Sequence, residues 1–463
     1  MFDNHTNEAI AEISSSYESK TPIDDKLIDK YVLTLDRATI QQPTYFQTII
    51  PLINQVLLDK EYGTIDPTGI LIKLLEKVLS YINFEEVLEL YPPQFIIQNL
   101  FTSSTISILC LKILRMNIHQ PQTQEFLSSN NVMPQLIQLF FEESTPISVL
   151  NSIESLVSVL NSGEVHLLGG TELLYSVRKS NNPILLARLL DLLLVLVDKS
   201  NLDTKLYNFE LEEIVTFSDD PLFLILLIQF YVNSIGMNLN IEGSIANVLT
   251  LYNRGSFDDI VKSEVADLIA KMSYNNYETL LSSFEVFKSY NFIKIYEKDE
   301  VEIRILSKSN PDVVHKINPS IYDDVLKNLP LFDHAYFPIL INVIASPSLW
   351  NSLQPKLTNE KLESLSKDRL FQLLLGMSKY NHTKEYLFNN LPTVVSDEII
   401  ESDIRNHDIW RLKLEVLENL KHSEGVSGYQ YWQPKIEEAY NLMKFGQSYK
   451  HVQPKVEVVD DTV

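Results

Sequence analysis

Glycine and cysteine are both scarce in this chain. Only 12 of its 463 residues are glycine, whereas the usual share is about 7%. This scarcity disfavours sheet-rich folds and the glycine-rich loops that cradle phosphate groups. The single cysteine, Cys110, lies in the apolar segment from Ile106 to Leu114, so it has no internal disulfide partner and is expected in the core. This cysteine usage is typical of an intracellular, reduced protein.

Signatures of catalysis, nucleotide binding and metal binding are also missing. The sequence contains no GxxxxGK[ST], GxGxxG, HExxH or GxSxG motif. Its nine histidines are dispersed, and none lies at ligand spacing from another histidine or from the cysteine. Acid pairs such as Glu142-Glu143 stand mostly at predicted helix ends, where they favour the helix dipole. We therefore expect a protein that is not an enzyme and has no catalytic residue, cofactor site or metal site.

Basic residues are outnumbered, with 38 Lys and Arg against 61 Asp and Glu and a net charge of −23. No basic cluster interrupts the excess of acids, which argues against direct nucleic-acid binding through phosphate contacts. The charge suits a partner with a basic face, or serves solubility alone. The longest apolar stretches, Ile184 to Val197 and Leu222 to Ile228, are shorter than the ~18 residues needed to span a bilayer. They predict buried helices, and we expect no membrane contact.

A helix-start pattern recurs along the chain. Thr145-Pro146, Asn182-Pro183 and Asp220-Pro221 place a capping residue before proline, and their prolines are 37 and 38 residues apart. Such a side chain accepts hydrogen bonds from the first turn, and proline at the first helical position loses no bonded donor. A helical period of this length predicts an all-α solenoid of HEAT or armadillo-like repeats. Similar starts stand at Asp24, Asp66, Ser104, Ser256, Asp299, Asp333, Asp368 and Asp408.

Two units of this repeat can be overlaid directly. The apolar set Leu136, Ile137, Phe140, Ile147, Ile153, Leu156 and Leu160 recurs 37 positions later as Leu173, Leu174, Val177, Ile184, Leu190, Leu193 and Val197. The spacing predicts a short helix and then a longer one, each with one face packed on its neighbours. We count about eleven units.

The array is predicted to run without interruption over residues 23–446, because no linker rich in serine or glycine divides it. Residues 1–22 are polar, lack a signal peptide and are predicted to be a disordered N-terminal segment. Residues 447–463 are predicted to be a flexible acidic tail.

Polar residues interrupt three of the most apolar helices at helical spacing. They are Arg188 and Asp191, then Gln229 and Asn233, then Asp267 and Lys271. Consecutive inner helices of a solenoid line its concave wall, so these six residues, here called the polar stripe, are the candidate partner-binding residues. The alternative is that they form local pairs and bind no ligand.

Three collinear segments resemble a known family. They run from Asn83 to Tyr91, from His382 to Val394 and from Trp432 to Tyr440. Their order and approximate positions are similar to those in the yeast chaperones that assemble the base of the proteasome regulatory particle. That family also carries an older DNA mismatch-repair name, and its animal relative is the proteasome non-ATPase regulatory subunit five.

The resemblance implies a C-shaped solenoid without catalytic activity. Its concave face would bind the C-terminal domain of one proteasome base ATPase subunit in an assembly intermediate. We expect the protein to be a monomer when it is alone. We expect it in the cytoplasm, and a nuclear location is a second alternative. Any link to DNA damage or mismatch repair is expected to be indirect because the chain is acidic.

Two other functions stay open at this stage. One is a noncatalytic scaffold linked to DNA mismatch repair. The other is an armadillo-type cargo adaptor, since an acidic solenoid suits basic targeting signals. Cargo adaptors use regular Trp-x-x-x-Asn arrays, but Trp350, Trp410 and Trp432 have no Asn four residues later, which counts against that function.

Overall fold

The computed structural model describes residues 4–40, 43–102, 105–287 and 292–446. Within these ranges every regular element is a helix, which confirms the predicted all-α class. Residue contacts divide the chain into two units, Met1–Ser244 and Ile245–Val463. Each unit is described separately below.

The first unit contains sixteen α-helices and two short 3-10 helices in its described part. The α-helices are α1 (Asn4–Ser19), α2 (Asp25–Thr34), α3 (Arg37–Ile40), α4 (Pro43–Leu57), α5 (Tyr62–Ile65), α6 (Ile70–Leu79), α7 (Phe84–Leu90), α8 (Pro93–Leu100), α9 (Thr105–Asn117), α10 (Pro121–Ser129), α11 (Val132–Phe140), α12 (Ile147–Val159), α13 (Glu172–Arg178), α14 (Pro183–Leu196), α15 (Leu211–Thr216) and α16 (Pro221–Ser234). The 3-10 helices are Val165–Leu168 and Thr204–Leu206. Helix α17 (Glu242–Asn253) crosses the boundary between the units.

The described part of the second unit contains thirteen further α-helices. They are α18 (Asp259–Ser273), α19 (Glu278–Ser283), α20 (Phe292–Tyr296), α21 (Glu300–Lys308), α22 (Pro311–Ile317), α23 (Pro319–Asn328), α24 (Phe337–Val343), α25 (Pro347–Leu353), α26 (Asn359–Glu363), α27 (Lys367–Met377), α28 (Asn381–Asn390), α29 (His407–Lys421) and α30 (Tyr429–Phe445). A 3-10 helix (Gln354–Lys356) and a π-helix (Val394–Glu401) complete it.

Each unit is organised around a row of helices that pack in chain order, here called its stacked row. In the first unit the stacked row is α2, α6, α9, α12, α14 and α16. In the second it is α18, α21, α24, α27, α29 and α30. Shorter helices form pairs with these, as α11 does with α12 and α13 with α14. This is the predicted solenoid arrangement, in which each helical unit buries its apolar face against its neighbours.

Five of the eleven predicted helix starts are capped by the expected side chain. Asn182 accepts hydrogen bonds from the backbone N–H groups of Ile184 and Leu185, and Asp220 accepts one from Phe223. Asp24, Asp66 and Asp299 also accept hydrogen bonds from the first turn of the helix that follows each of them. Thr145 is an exception, because its hydroxyl donates to the Leu139 carbonyl at the end of α11.

Four other starts are displaced by two or three residues. The structural N-caps are Asp258, Tyr336, Ser366 and Asn406 in place of Ser256, Asp333, Asp368 and Asp408. Asp368 and Asp408 instead lie in the first turn, where a carboxylate is still favoured by the helix dipole. Ser104 lies outside the described residues.

Asn4–Ser19 of the N-terminal segment form helix α1, so the expectation of disorder does not hold for these residues. Helix α1 packs against α2 and α4. Thr6, Ala9 and Ile13 recur at helical spacing on its buried face, and burying such a face stabilises a helix whose other side is polar. The predicted tail, residues 447–463, lies outside the described residues.

Cys110 packs in the core as the sequence predicts, and two of the three tryptophans are also buried. Cys110 is fully buried, and burial raises the pKa of its thiol to about 12, so the thiolate is scarce at neutral pH. Trp350 is buried against the rings of His382 and Tyr386. Trp432 is buried and donates from its indole N–H to the Phe388 carbonyl, which ties α30 to α28.

One part of the overlaid apolar set is not buried. Ile147 and Ile184, which the overlay places in the packed face, are 75% and 54% exposed. Leu222, predicted to lie in a buried helix, is 66% exposed. All three lie at the first or second residue of their helix.

The buried face of α1 gives a direct test of its place in the fold. Ile13→Ala should lower the free energy of unfolding by about 2–4 kcal/mol, because Ile13 is fully buried and its removal leaves a cavity. Ile10→Ala, on the same helix but half-buried, is the matched control and should cost clearly less. Urea unfolding of both variants measures the difference. Equal, negligible losses would show that α1 does not contribute to the folded core.

Candidate functional site

The polar stripe falls on stacked rows in both units. In the first unit Arg188 and Asp191 lie on α14, and Gln229 and Asn233 lie on α16. Because α14 packs directly against α16, these four side chains belong to neighbouring helices. In the second unit Asp267 and Lys271 lie on α18. The structure therefore supports two separate groups of stripe residues, one in each unit.

Arg188 is engaged inside the fold. Its guanidinium donates to the carbonyl oxygens of Phe140 at 3.0 Å and Glu142 at 2.7 Å. Phe140 is the last residue of α11 and Glu142 lies in the turn after it, where carbonyl groups lack intrahelical partners. Arg188 thus makes local contacts at the C-terminal end of α11, as the alternative of local pairing describes.

Asp191 is held differently from Arg188, although the two lie on one face of α14. Its carboxyl makes no hydrogen bond or ion pair with the described residues, and its side chain is reached by solvent. Neighbouring protein nevertheless strips part of its hydration, and Glu154 on α12 adds like charge. Together they raise the pKa of Asp191 to about 6. A cationic group of a partner, placed beside Asp191, would favour the ionised carboxyl and so offset both the desolvation and the repulsion from Glu154.

Gln229 and Asn233 extend this surface onto α16. Both side chains are exposed, and Gln229 lies 38 residues after Asp191, at the equivalent position of the next stacked helix. Asn233 lies one turn further along and makes no hydrogen bond with the described residues. An exposed carboxyl and two exposed amides therefore occur side by side on α14 and α16.

In the second unit Asp267 is fully engaged by neighbouring cations. Arg304 binds it in a bidentate manner, with Nε at 2.8 Å and Nη2 at 2.7 Å, and Lys308 Nζ lies 2.7 Å from Oδ1. These hydrogen bonds lower the pKa of Asp267 despite its partial burial. The cluster joins α18 to α21, so Asp267 is a structural residue. Lys271, one turn away, is exposed.

Sequence reasoning missed two ion pairs that join successive helices of the first stacked row. Lys73 on α6 pairs with Asp29 on α2, and Lys112 on α9 pairs with Glu76 on α6. These pairs are separated by 44 and 36 residues, close to the repeat period. Opposite charges one period apart on successive stacked helices are the signal that would have identified them.

Several cations are buried and bound inside the fold. The Arg178 guanidinium stacks 3.8 Å above the Phe209 ring and donates to Glu213 and the Asn208 carbonyl. Lys413 is 3% exposed, donates to the Ser402 carbonyl at 2.6 Å beyond the π-helix, and has its pKa lowered to about 8 by burial. Such internal use of basic side chains leaves the surface more acidic than the composition alone implies.

The described residues offer no arrangement for metal binding. No three His, Cys, Asp or Glu side chains among them are grouped closely enough to hold an ion. None of the described helices has the length and apolar character needed to cross a bilayer. The stripe presents amide and charged side chains, which can form hydrogen bonds and ion pairs.

The stacked rows and their polar surface define an all-α helical-repeat protein of the solenoid type. Models of the N-terminal and C-terminal domains of DNA mismatch repair protein HSM3 match residues 7–235 and 238–463. The chain therefore belongs to the HSM3 family. The two matched domains meet within ten residues of the boundary between the two structural units.

Full-length relatives agree with this assignment. The chain is 42% identical to DNA mismatch repair protein HSM3 of Candida albicans over 100% of both chains. It is 37% identical to the protein of that name from Scheffersomyces stipitis, over 100% of this chain and 98% of the relative. Similarity to the Saccharomyces cerevisiae protein is weaker, at 22% identity over 71% of each chain.

The two aspartates of the stripe are expected to differ in their effect on stability. Asp267→Asn should lower the free energy of unfolding by about 1–2 kcal/mol, because Arg304 and Lys308 lose their charged acceptor at a partly exposed site. Asp191→Asn should leave stability at pH 7 unchanged or raised, because the ionised Asp191 is disfavoured in the fold. Urea unfolding of both variants tests the contrast, and equal losses would contradict it.

Proposed function

We propose that this protein is a noncatalytic chaperone for assembly of the base of the proteasome regulatory particle. In this proposal the exposed part of the polar stripe on α14 and α16 binds the C-terminal domain of an ATPase subunit. The protein would act in the cytoplasm and be monomeric when alone. The family resemblance suggests the partner, and the geometry of the first unit supports the location of its binding surface.

The proposal rests on a contrast along the first stacked row. Some polar side chains are paired with residues of the next helix, and others have no partner among the described residues. Asp29 and Glu76 are paired with lysines of the next helix, whereas Asp191 and Asn233 have no partner among the described residues. Unpaired polar groups beside a surface of paired ones are available for a partner without breaking internal contacts. An acidic surface also steers a basic partner towards it.

A scaffold linked to DNA mismatch repair is the second candidate, and the name of the relatives favours it. The net charge of −23 argues that such a link would run through protein partners, since direct binding to DNA requires clustered cations. The same surface on α14 and α16 would serve either function.

Charge reversal at Asp191 tests the binding surface. With purified C-terminal domains of the base ATPase subunits, Asp191→Lys should weaken the binding of the recognised subunit by about tenfold or more, because the variant repels a cationic partner. Glu212→Lys, the same change at an exposed residue of α15, is the control and should have little effect. Calorimetry measures affinity, and circular dichroism checks the fold. Unchanged binding by folded Asp191→Lys would reject this surface.

The raised pKa of Asp191 predicts a pH dependence for the same complex. Cationic groups bind the ionised carboxyl, so affinity should fall as the pH drops from 7.5 to 5.5, through the pKa of about 6. Asp191→Asn should bind more weakly at pH 7.5 and should show a flatter pH profile than the unaltered protein. A profile that is equally steep in both proteins would assign the titration to another group.

A further inference from the structure

Three exposed apolar side chains recur in register in the first unit. Ile147, Ile184 and Leu222 are 75%, 54% and 66% exposed, and they are separated by 37 and 38 residues. We call this set the apolar edge. Single exposed apolar residues are normal in soluble proteins, but three at the same position of successive repeats form a patterned surface.

The packing of the helices brings the members of the apolar edge next to each other. Ile147 begins α12, and Ile184 and Leu222 are the second residues of α14 and α16. Because these helices pack in that order, their N-terminal ends are neighbours, with packed helix axes about 8–10 Å apart. Each side chain also follows a proline, whose ring adds apolar surface beside it.

The apolar edge is distinct from the polar stripe, although both use α14 and α16. Asp191 lies seven residues beyond Ile184, which corresponds to about 10 Å along the helix. Ile260, at the equivalent position of α18 in the second unit, is also exposed, at 64%. An exposed apolar residue near the start of a stacked helix thus occurs in both units.

Acidic groups flank the apolar edge. Glu142 and Glu143, in the turn before α12, and Asp219, before α16, are all exposed. Glu143 also accepts a 2.6 Å hydrogen bond from the Asn182 side chain at the start of α14. Lys179 is the exposed cation in the turn that precedes α14. The Arg188 guanidinium also lies beside this turn, bound to the Glu142 carbonyl. Three exposed carboxylates against two cations leave the surroundings with a net negative charge.

We propose that the apolar edge is a docking surface for a partner segment in the polyproline II conformation, with an apolar residue at every third position and Lys or Arg between them. This conformation has three residues per turn and advances about 3.1 Å per residue, so side chains three residues apart lie on one side of the segment, about 9 Å apart. That distance matches the spacing of the helix starts. The apolar side chains of the segment cover Ile147, Ile184 and Leu222, and its cations meet the flanking carboxylates.

The test uses a 12-residue synthetic probe peptide with Leu at every third position and Lys elsewhere, and a second peptide with Ser in place of Leu. The full-length protein should bind the Leu peptide about tenfold more tightly than the Ser peptide in fluorescence anisotropy near physiological salt. The triple variant Ile147→Ser, Ile184→Ser, Leu222→Ser should lose this preference. The matched control Leu33→Ser, Leu58→Ser, Val215→Ser changes three other exposed apolar residues of the same unit and should keep it.

Three outcomes would overturn the proposal. In the first, the unaltered protein shows no preference for the Leu peptide. In the second, the edge variant is folded by circular dichroism and retains the preference. In the third, light scattering detects a dimer of the unaltered protein that the edge variant does not form, which assigns the edge to a second copy of this chain.

Discussion

The structure depends on the burial of each stacked helix by the next one along the chain. No single repeat can cover its own apolar face, so the row is stable only as a continuous stack. Leu189, Leu193 and Leu227, on the adjacent helices α14 and α16, are fully buried. The constraint is strict for the packed face and leaves the remaining positions of each helix free to vary. Those positions carry the features that distinguish this chain from a generic helical repeat.

Polar contacts between stacked helices determine which positions outside the packed face can bind a partner protein. Where an acid meets a cation one repeat away, as Asp267 meets Arg304, the pair joins two helices and is unavailable to other molecules. Where none of the described residues pairs with the acid, as at Asp191, the carboxylate stays exposed to solvent. It then lies near another acid, Glu154. The same type of residue at equivalent repeat positions therefore stabilises the stack in one unit and remains open in the other.

Much of the fold could be predicted from sequence because caps and apolar spacing are local signals. Asn182 and Asp220 begin helices as their side chains require. Burial at helix ends could not be predicted, since the exposure of Ile147 depends on where the neighbouring layer stops. Helix α1 was missed because few of its residues are apolar, and its stability comes from tertiary packing of Ile13.

The sequence predicts where the residues of the candidate site lie on their helices. It does not predict which of their side chains are bound within the fold. Periodicity placed Arg188 and Asp191 on one helix face, yet only the structure shows that Arg188 binds the end of α11. Whether a charged side chain is engaged depends on contacts to residues 37 to 48 positions away in sequence. A single repeat unit does not contain that information.

The most direct measurement is to purify the protein from its own cells at gentle salt and identify the proteins that accompany it. The account predicts recovery of proteasome base ATPase subunits without the mature core particle. Recovery of repair factors or import cargo without any proteasome subunit would contradict the chaperone function, while leaving the solenoid fold and the family assignment in place.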